Sequence, residues 1–221
     1  MKIYAYNENM LSTAQKLIGG MLDFAVNGIG ESLKHTYSSF IASPYSVKVE
    51  NGDSGTIMGM SGAEIAYDIL GISRLPKERM DEYSRQAALS RSPEYWSGWA
   101  LAHYQWETSL SFDEINNIRD IESIILMYKK YHEIDLSHFS ETMNRLYLDK
   151  NSDTKLKKRR NEAGLSQKDL AERTGIPLKT IQQYEQRQKN INHARVDYLV
   201  SMSKALSCDV ELLIEKIQID C

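Results

Sequence analysis

The stretch from Ser166 to Gln186 restricts the fold more than any other part of the chain. It reads Ser-Gln-Lys-Asp-Leu-Ala-Glu-Arg-Thr-Gly-Ile-Pro-Leu-Lys-Thr-Ile-Gln-Gln-Tyr-Glu-Gln. Ser166 is placed to cap a helix, and Asp169 at the third helical position can reach back to the cap amide. Leu170 and Ala171 face inward, and the small Ala171 suits a close crossing by a second helix. Gly175 supplies the left-handed turn that other residues adopt at a cost. Ile176, Ile181 and Tyr184 then give the second helix its apolar side. A helix, a tight turn and a helix are therefore expected here. Upstream, Leu156 to Gly164 reads as a basic helix ending at glycine. Downstream, Val196, Leu199, Val200, Met202, Ala205 and Leu206 mark a fourth helix, and Val210, Leu212, Leu213 and Ile214 a short fifth.

The charge distribution singles out the same region. Residues 1–150 carry 14 Lys/Arg against 20 Asp/Glu, a net −6, whereas residues 151–221 carry 13 against 10, a net +3. Within 155–195 the balance is 11 against 4, a net +7. An acidic body with a concentrated basic segment implies a polyanion partner for the second part.

The preceding residues read as a mostly helical domain. Met10, Leu11, Ala14, Leu17, Ile18, Met21, Leu22 and Ala25 recur at helical steps, so residues 8–30 are expected to form a helix with Gly19-Gly20 marking a close crossing or a bend. A second helix is expected over Glu31 to Ala42. Val47 and Val49 alternate with charged residues before Asn51-Gly52-Asp53-Ser54-Gly55, and this predicts a small β-hairpin within Tyr45 to Met60. Ser61 with Glu64, and Ser111 with Glu114, form capping boxes that open further helices, the second extending through Asp120 to Tyr131. Lys77 to Leu89 suggests a short helix. Ser92-Pro93-Glu94 starts another over Tyr95 to Glu107, and Asp135 to Leu148 is amphipathic. Asp149 to Asp153 looks like the domain junction. The expected organisation is 1–150 as a mostly helical partner-binding, sensory or dimerisation domain, 154–215 as a five-helix domain, and 216–221 as a tail.

Several short patterns carry chemistry elsewhere but not here. Gly52-Asp53-Ser54-Gly55 matches the surroundings of a trypsin-like nucleophile, yet that chemistry needs a histidine base and a buried aspartate on β-barrels. A turn is the better reading. Ser61 in Gly59-Met60-Ser61-Gly62-Ala63 is a helix cap, since a nucleophile elbow would end in glycine. His132, Glu133, Asp135 and His138 do not share one helix face, so no metal site is expected. No catalytic residue and no cofactor is expected either. Cys208 and Cys221 are the only cysteines, too few for a disulfide framework or a four-cysteine zinc site. Cys208 reads as a small helix-end residue and Cys221 as a free terminal thiol. With no apolar leader or membrane-length stretch, a cytoplasmic protein is expected. Trp96, Trp99, His103 and Trp106 form one helical stripe flanked by Tyr95 and Tyr104. It reads either as domain core or, through Tyr95, Trp96, Trp99 and Trp106, as a partner or ligand surface.

The pattern Leu165-Ser166-Gln167-x-x-Leu170-Ala171-x-x-Thr174-Gly175-Ile176, followed by Thr180-Ile181-x-x-Tyr184-Glu185, resembles the DNA-binding domain of the Cro/CI phage-repressor family, also called XRE. The fold class it implies is mainly α, with a five-helix phage-repressor-like DNA-binding domain at the C-terminal end. By that resemblance, a recognition helix over about Pro177 to Gln186 enters the major groove of double-stranded DNA. Leu178, Lys179, Thr180, Gln182 and Gln183 would face the bases. Gln167 would anchor to phosphate and brace a recognition side chain. Arg187, Lys189, Asn190, Lys157, Lys158 and Arg159 would contact phosphates. Two departures stand out: Pro177 replaces the usual serine or threonine cap, and Gln186-Arg187-Gln188 replaces the usual residue-glycine after Glu185. The resemblance implies a dimeric transcription regulator, a repressor.

Ser92-Pro93-Glu94-Tyr95-Trp96-x-Gly98-Trp99-x-Leu101-Ala102-x-Tyr104-Gln105-Trp106 resembles uncharacterised regions joined to such domains in Gram-positive bacteria, some of which look like antitoxins. That implies a cognate toxin protein as partner. A small-molecule sensor remains the alternative for the same region.

Overall fold

The computed structural model describes residues 4–217; the expected Cys221 thiol and the end of the tail lie outside the described residues. The chain separates into two compact units, Met1–Leu146 and Tyr147–Cys221. All regular elements among the described residues are helical.

In the first unit, a short 3-10 turn at Glu8–Met10 leads into α1, Leu11–Asp23, which continues as a π-helical segment, Phe24–Ile29. Next come α2 (Leu33–Ala42), α3 (Pro44–Glu50), α4 (Ser54–Gly59) and α5 (Gly62–Leu70). They are followed by α6 (Lys77–Leu89), α7 (Pro93–Thr108), α8 (Phe112–Ile118), α9 (Ile121–Ile125), α10 (Tyr128–Tyr131) and α11 (Leu136–Lys150).

The unit is built on α1 crossing α7. A Cβ on Gly98 would lie 2.6 Å from the Ile18 carbonyl oxygen and 2.7 Å from the Gly19 backbone, and one on Gly19 would lie 2.8 Å from the Tyr95 carbonyl oxygen. Only glycine on both helices permits that approach, so Gly19 marks a crossing rather than a bend. Ala14, Ile18, Met21 and Leu22 are wholly buried on α1. Asp23 is buried at its end, and its carboxylate accepts hydrogen bonds from the Tyr83 and Ser92 hydroxyls and the Asn27 amide. Those donors replace the water that the charge gives up.

The expected hairpin is absent, and the reason is capping. The Ser43 hydroxyl accepts from the Tyr45 amide with Pro44 at the first helical position, which starts α3. The Asp53 carboxylate accepts from both the Thr56 amide and hydroxyl, which starts α4. Asn51-Gly52 therefore joins two short helices. Ser46 and Val49 are buried at a helical step of three, while Val47 is 55% exposed; the apparent two-residue alternation was a coincidence of composition.

The capping boxes at Ser61–Glu64 and Ser111–Glu114 form as expected. The helix after Ser111 does not extend through Tyr131, because Arg119 turns extended and Asp120 caps a new helix through the Ser123 amide. Around His132 the ring instead hydrogen-bonds the Tyr128 carbonyl and stacks on its ring, and Asp135 accepts from the Ser137 amide.

The aromatic stripe is mainly core. Tyr95, Trp96 and Trp106 are buried and Trp99 is half-buried. Trp96 meets Tyr128 and Phe139 edge-on. Trp106 stacks on Tyr4, and its indole nitrogen donates to the Tyr6 carbonyl at 2.8 Å. Ser97, Ala100, Leu101, Ala102 and Gln105 are buried as well, so α7 is enclosed on most sides, leaving Trp99, His103 and Glu107 as a half-buried edge.

The second unit holds α12 (Lys155–Glu162), α13 (Gln167–Thr174), α14 (Leu178–Glu185) and α15 (Val196–Leu206), with a 3-10 turn at Ile191–His193 between α14 and α15 and another at Val210–Leu212 after α15. Their core is Leu156, Leu165, Leu170, Ile176, Ile181, Met202, Leu206 and Leu213 with Tyr184. No described helix is long and apolar enough to cross a membrane.

Candidate nucleic-acid interface

The helix pair α13–α14 is set by local chemistry that the sequence displays openly. The Ser166 hydroxyl accepts from the Asp169 amide, and the Asp169 carboxylate accepts from the Ser166 amide at 2.9 Å. Hydrogen bonds to that carboxylate from the Ser166 hydroxyl and amide hold it below the usual carboxylate range. Gly175 ends α13 at φ 69°. The Thr174 hydroxyl donates back to the Leu170 carbonyl at 2.7 Å, finishing the turn. Pro177 precedes α14 without a side-chain cap; its carbonyl accepts from the Thr180 amide at 2.8 Å.

On α14, Ile181 and Tyr184 are buried in the core, as expected. Leu178 and Lys179 are exposed, and Thr180, Gln182 and Gln183 are half-buried. Lys179, Gln182, Gln183 and Gln186 follow helical steps of three and four on one face. This is the row that can meet base edges.

The proposed phosphate-contacting residues divide into two groups. Lys189, just past α14, is exposed. The others have intramolecular bonds. The Asn190 side chain accepts from the Asn192 amide. Lys157 pairs with Asp153 at 2.7 Å, Arg159 with Glu162 at 2.7 Å, and Lys158 donates to the Asn151 side-chain oxygen at 3.3 Å. Such solvent-accessible ion pairs and hydrogen bonds hold loosely enough to exchange for a phosphate. Arg187 is different, because both guanidinium arms donate to backbone carbonyls, Nη1 to Ser152 and Nη2 to Asn151, each at 2.7 Å.

Behind the exposed row lies a buried charged network that sequence reasoning missed. Arg160 Nε donates to Glu185 Oε1 at 2.6 Å and its Nη2 to Oε2 at 3.0 Å, while Nη1 donates to the Leu165 carbonyl at 2.6 Å. Gln167 Nε2 donates to Glu185 Oε2 at 2.7 Å. Gln167 therefore braces the last residue of α14. The signal for Arg160 was present: it lies four residues after the buried Leu156, on the inward side of α12. It was hidden within the run Lys157-Lys158-Arg159-Arg160, which reads as uniformly solvent-facing. The network clamps α12, the start of α13 and the end of α14 together, so the exposed row projects from a fixed base.

No curated protein and no solved structure matches the chain. Residues 156–213 match the family model described as Helix-turn-helix. That span takes in α12 to the last 3-10 turn, and with the geometry of α13 and α14 it identifies this segment as a DNA-binding helix-turn-helix domain of the Cro/CI (XRE) type, the module of a transcription regulator.

Proposed function

We propose that the protein is a sequence-specific transcription repressor that binds operator DNA as a homodimer. The observation that carries this reading is the row of exposed Lys179 and half-buried Gln182 and Gln183 on a helix whose far end is fixed by Arg160 and Gln167 through Glu185. Lysine donates to guanine acceptors, glutamine pairs with adenine, and Leu178 can touch a thymine methyl. Lys189, Asn190, Lys157, Lys158 and Arg159 supply phosphate contacts that set register and salt dependence. One such domain reads few base pairs, which favours two copies on a two-fold operator. The first unit then serves regulation, dimerisation or partner binding. A cognate toxin as that partner gains no support from the aromatic stripe, whose side chains fill the core.

Paired substitutions test the assignment of roles. Gln183→Ala relaxes base preference and costs about 1–3 kcal/mol on the preferred site. Lys189→Ala weakens all sequences alike and lowers the slope of log K against log salt by about 1. Identical effects from the two variants would overturn the reading.

A further inference from the structure

Arg187 has φ 55°, in the left-handed region that glycine occupies without strain. It fills the position where the family resemblance expects glycine, directly after the helix that would read DNA. The backbone shape of that exit is thus retained, and a long cationic side chain is added. That side chain spans back to the linker, donating to two consecutive carbonyls, Asn151 and Ser152, at 2.7 Å each. The same segment is held at other points. Asn151 donates through its amide and its side chain to the Tyr147 carbonyl, closing α11, and its side-chain oxygen accepts from Lys158. Asp153 pairs with Lys157, and the Thr154 hydroxyl caps α12. Residues 151–154 are therefore fastened to the helix-turn-helix unit.

We propose that Arg187 is a positioning residue, a latch that ties the exit of the recognition helix to the linker, so that linker conformation and DNA reading are coupled. The coupling to DNA rests on the DNA-binding reading above; the latch itself does not. A movement of residues 151–152 away from Arg187 would loosen the latch and the loop it steadies. By reciprocity, DNA that fixes the loop steadies the linker.

The fork geometry makes the latch testable, because lysine keeps the charge but replaces the two separate guanidinium arms with one compact ammonium on a flexible stem. Full-length protein, Arg187→Gly and Arg187→Lys are compared by hydrogen exchange over residues 147–155. Each is measured free and with a mixed-sequence duplex of about 20 base pairs at low salt. Both variants should exchange in the linker on the order of tenfold faster than wild type, as loss of two charge-assisted bonds implies. DNA should slow linker exchange in wild type and in neither variant, and the salt slope of binding should be the same in all three. Arg187→Gly also relieves the backbone strain, so misfolding does not confuse the result. Wild-type linker exchange in either variant would overturn the latch. So would a salt slope lowered by about 1 in Arg187→Gly and restored by Arg187→Lys, the signature of a phosphate contact. If no variant binds DNA, the proposed function fails while the free-state exchange still decides the latch.

Discussion

Arg160 and Glu185 join the first and third helices of the helix-turn-helix unit by two near-parallel hydrogen bonds, with the Glu185 side chain 1% and the Arg160 side chain 9% exposed. Such a pair is expensive to break from one side, because the survivor stays buried and charged. Arg160→Ala should destabilise the second unit by about 3–5 kcal/mol, read by chemical denaturation. Replacing both residues with apolar ones of similar size should cost far less. A single variant within about 0.5 kcal/mol of wild type would contradict the role assigned to the pair.

The α1–α7 crossing makes an opposite pair of predictions on neighbouring glycines. A Cβ at Gly98 meets backbone atoms at 2.6 and 2.7 Å, and backbone cannot swing aside. Gly98→Ala should cost about 1–3 kcal/mol through overpacking. A Cβ at Gly20, next to Gly19 in the interior of α1, meets nothing within 4 Å. Gly20→Ala should raise the stability of the first unit by about 0.5–1 kcal/mol. Thermal melts of both variants check the ordering, and a stabilised Gly98→Ala would refute the crossing.

Acid stability follows from the caps. Hydrogen bonds from the Ser166 hydroxyl and amide hold the Asp169 carboxyl below its ordinary range. The Ser61 amide does the same for Glu64, and the Ser123 amide for Asp120. A carboxylate depressed in the folded state adds stability above its unfolded value of about 4, and this is lost as pH falls through the folded value. Stability should therefore be level near neutrality and decline below about pH 4. Asp169→Asn should flatten the acid decline of the second unit. An acid limb identical to wild type would show that the capping box contributes nothing through ionisation.

What the sequence made legible was mostly local. Ser61–Glu64, Ser111–Glu114 and Ser166–Asp169 announce their caps within four residues, and Gly175 announces its turn. Errors came where a local signal had two physical readings. Val47 and Val49 alternate like a strand, but Ser43-Pro44 and Asp53 cap helices on either side. On α7 the tryptophan stripe left core and surface both open, because other buried positions of the helix, such as Gly98 and Ala102, are too small to signal burial. Arg160–Glu185 and Arg187–Asn151 join residues 25 and 36 positions apart. No short-range pattern marks contacts at that separation, and the long basic run disguised which cation turns inward.

The proposed role of α14 is to read sequence in duplex DNA. Selection of duplexes from a random pool by the full-length protein tests it most directly. The pool should converge on an inverted repeat with half-sites about 34–36 Å apart along the helix axis, with a preference relaxed by Gln183→Ala. A pool that fails to converge, or converges equally well with Gln183→Ala, would contradict it.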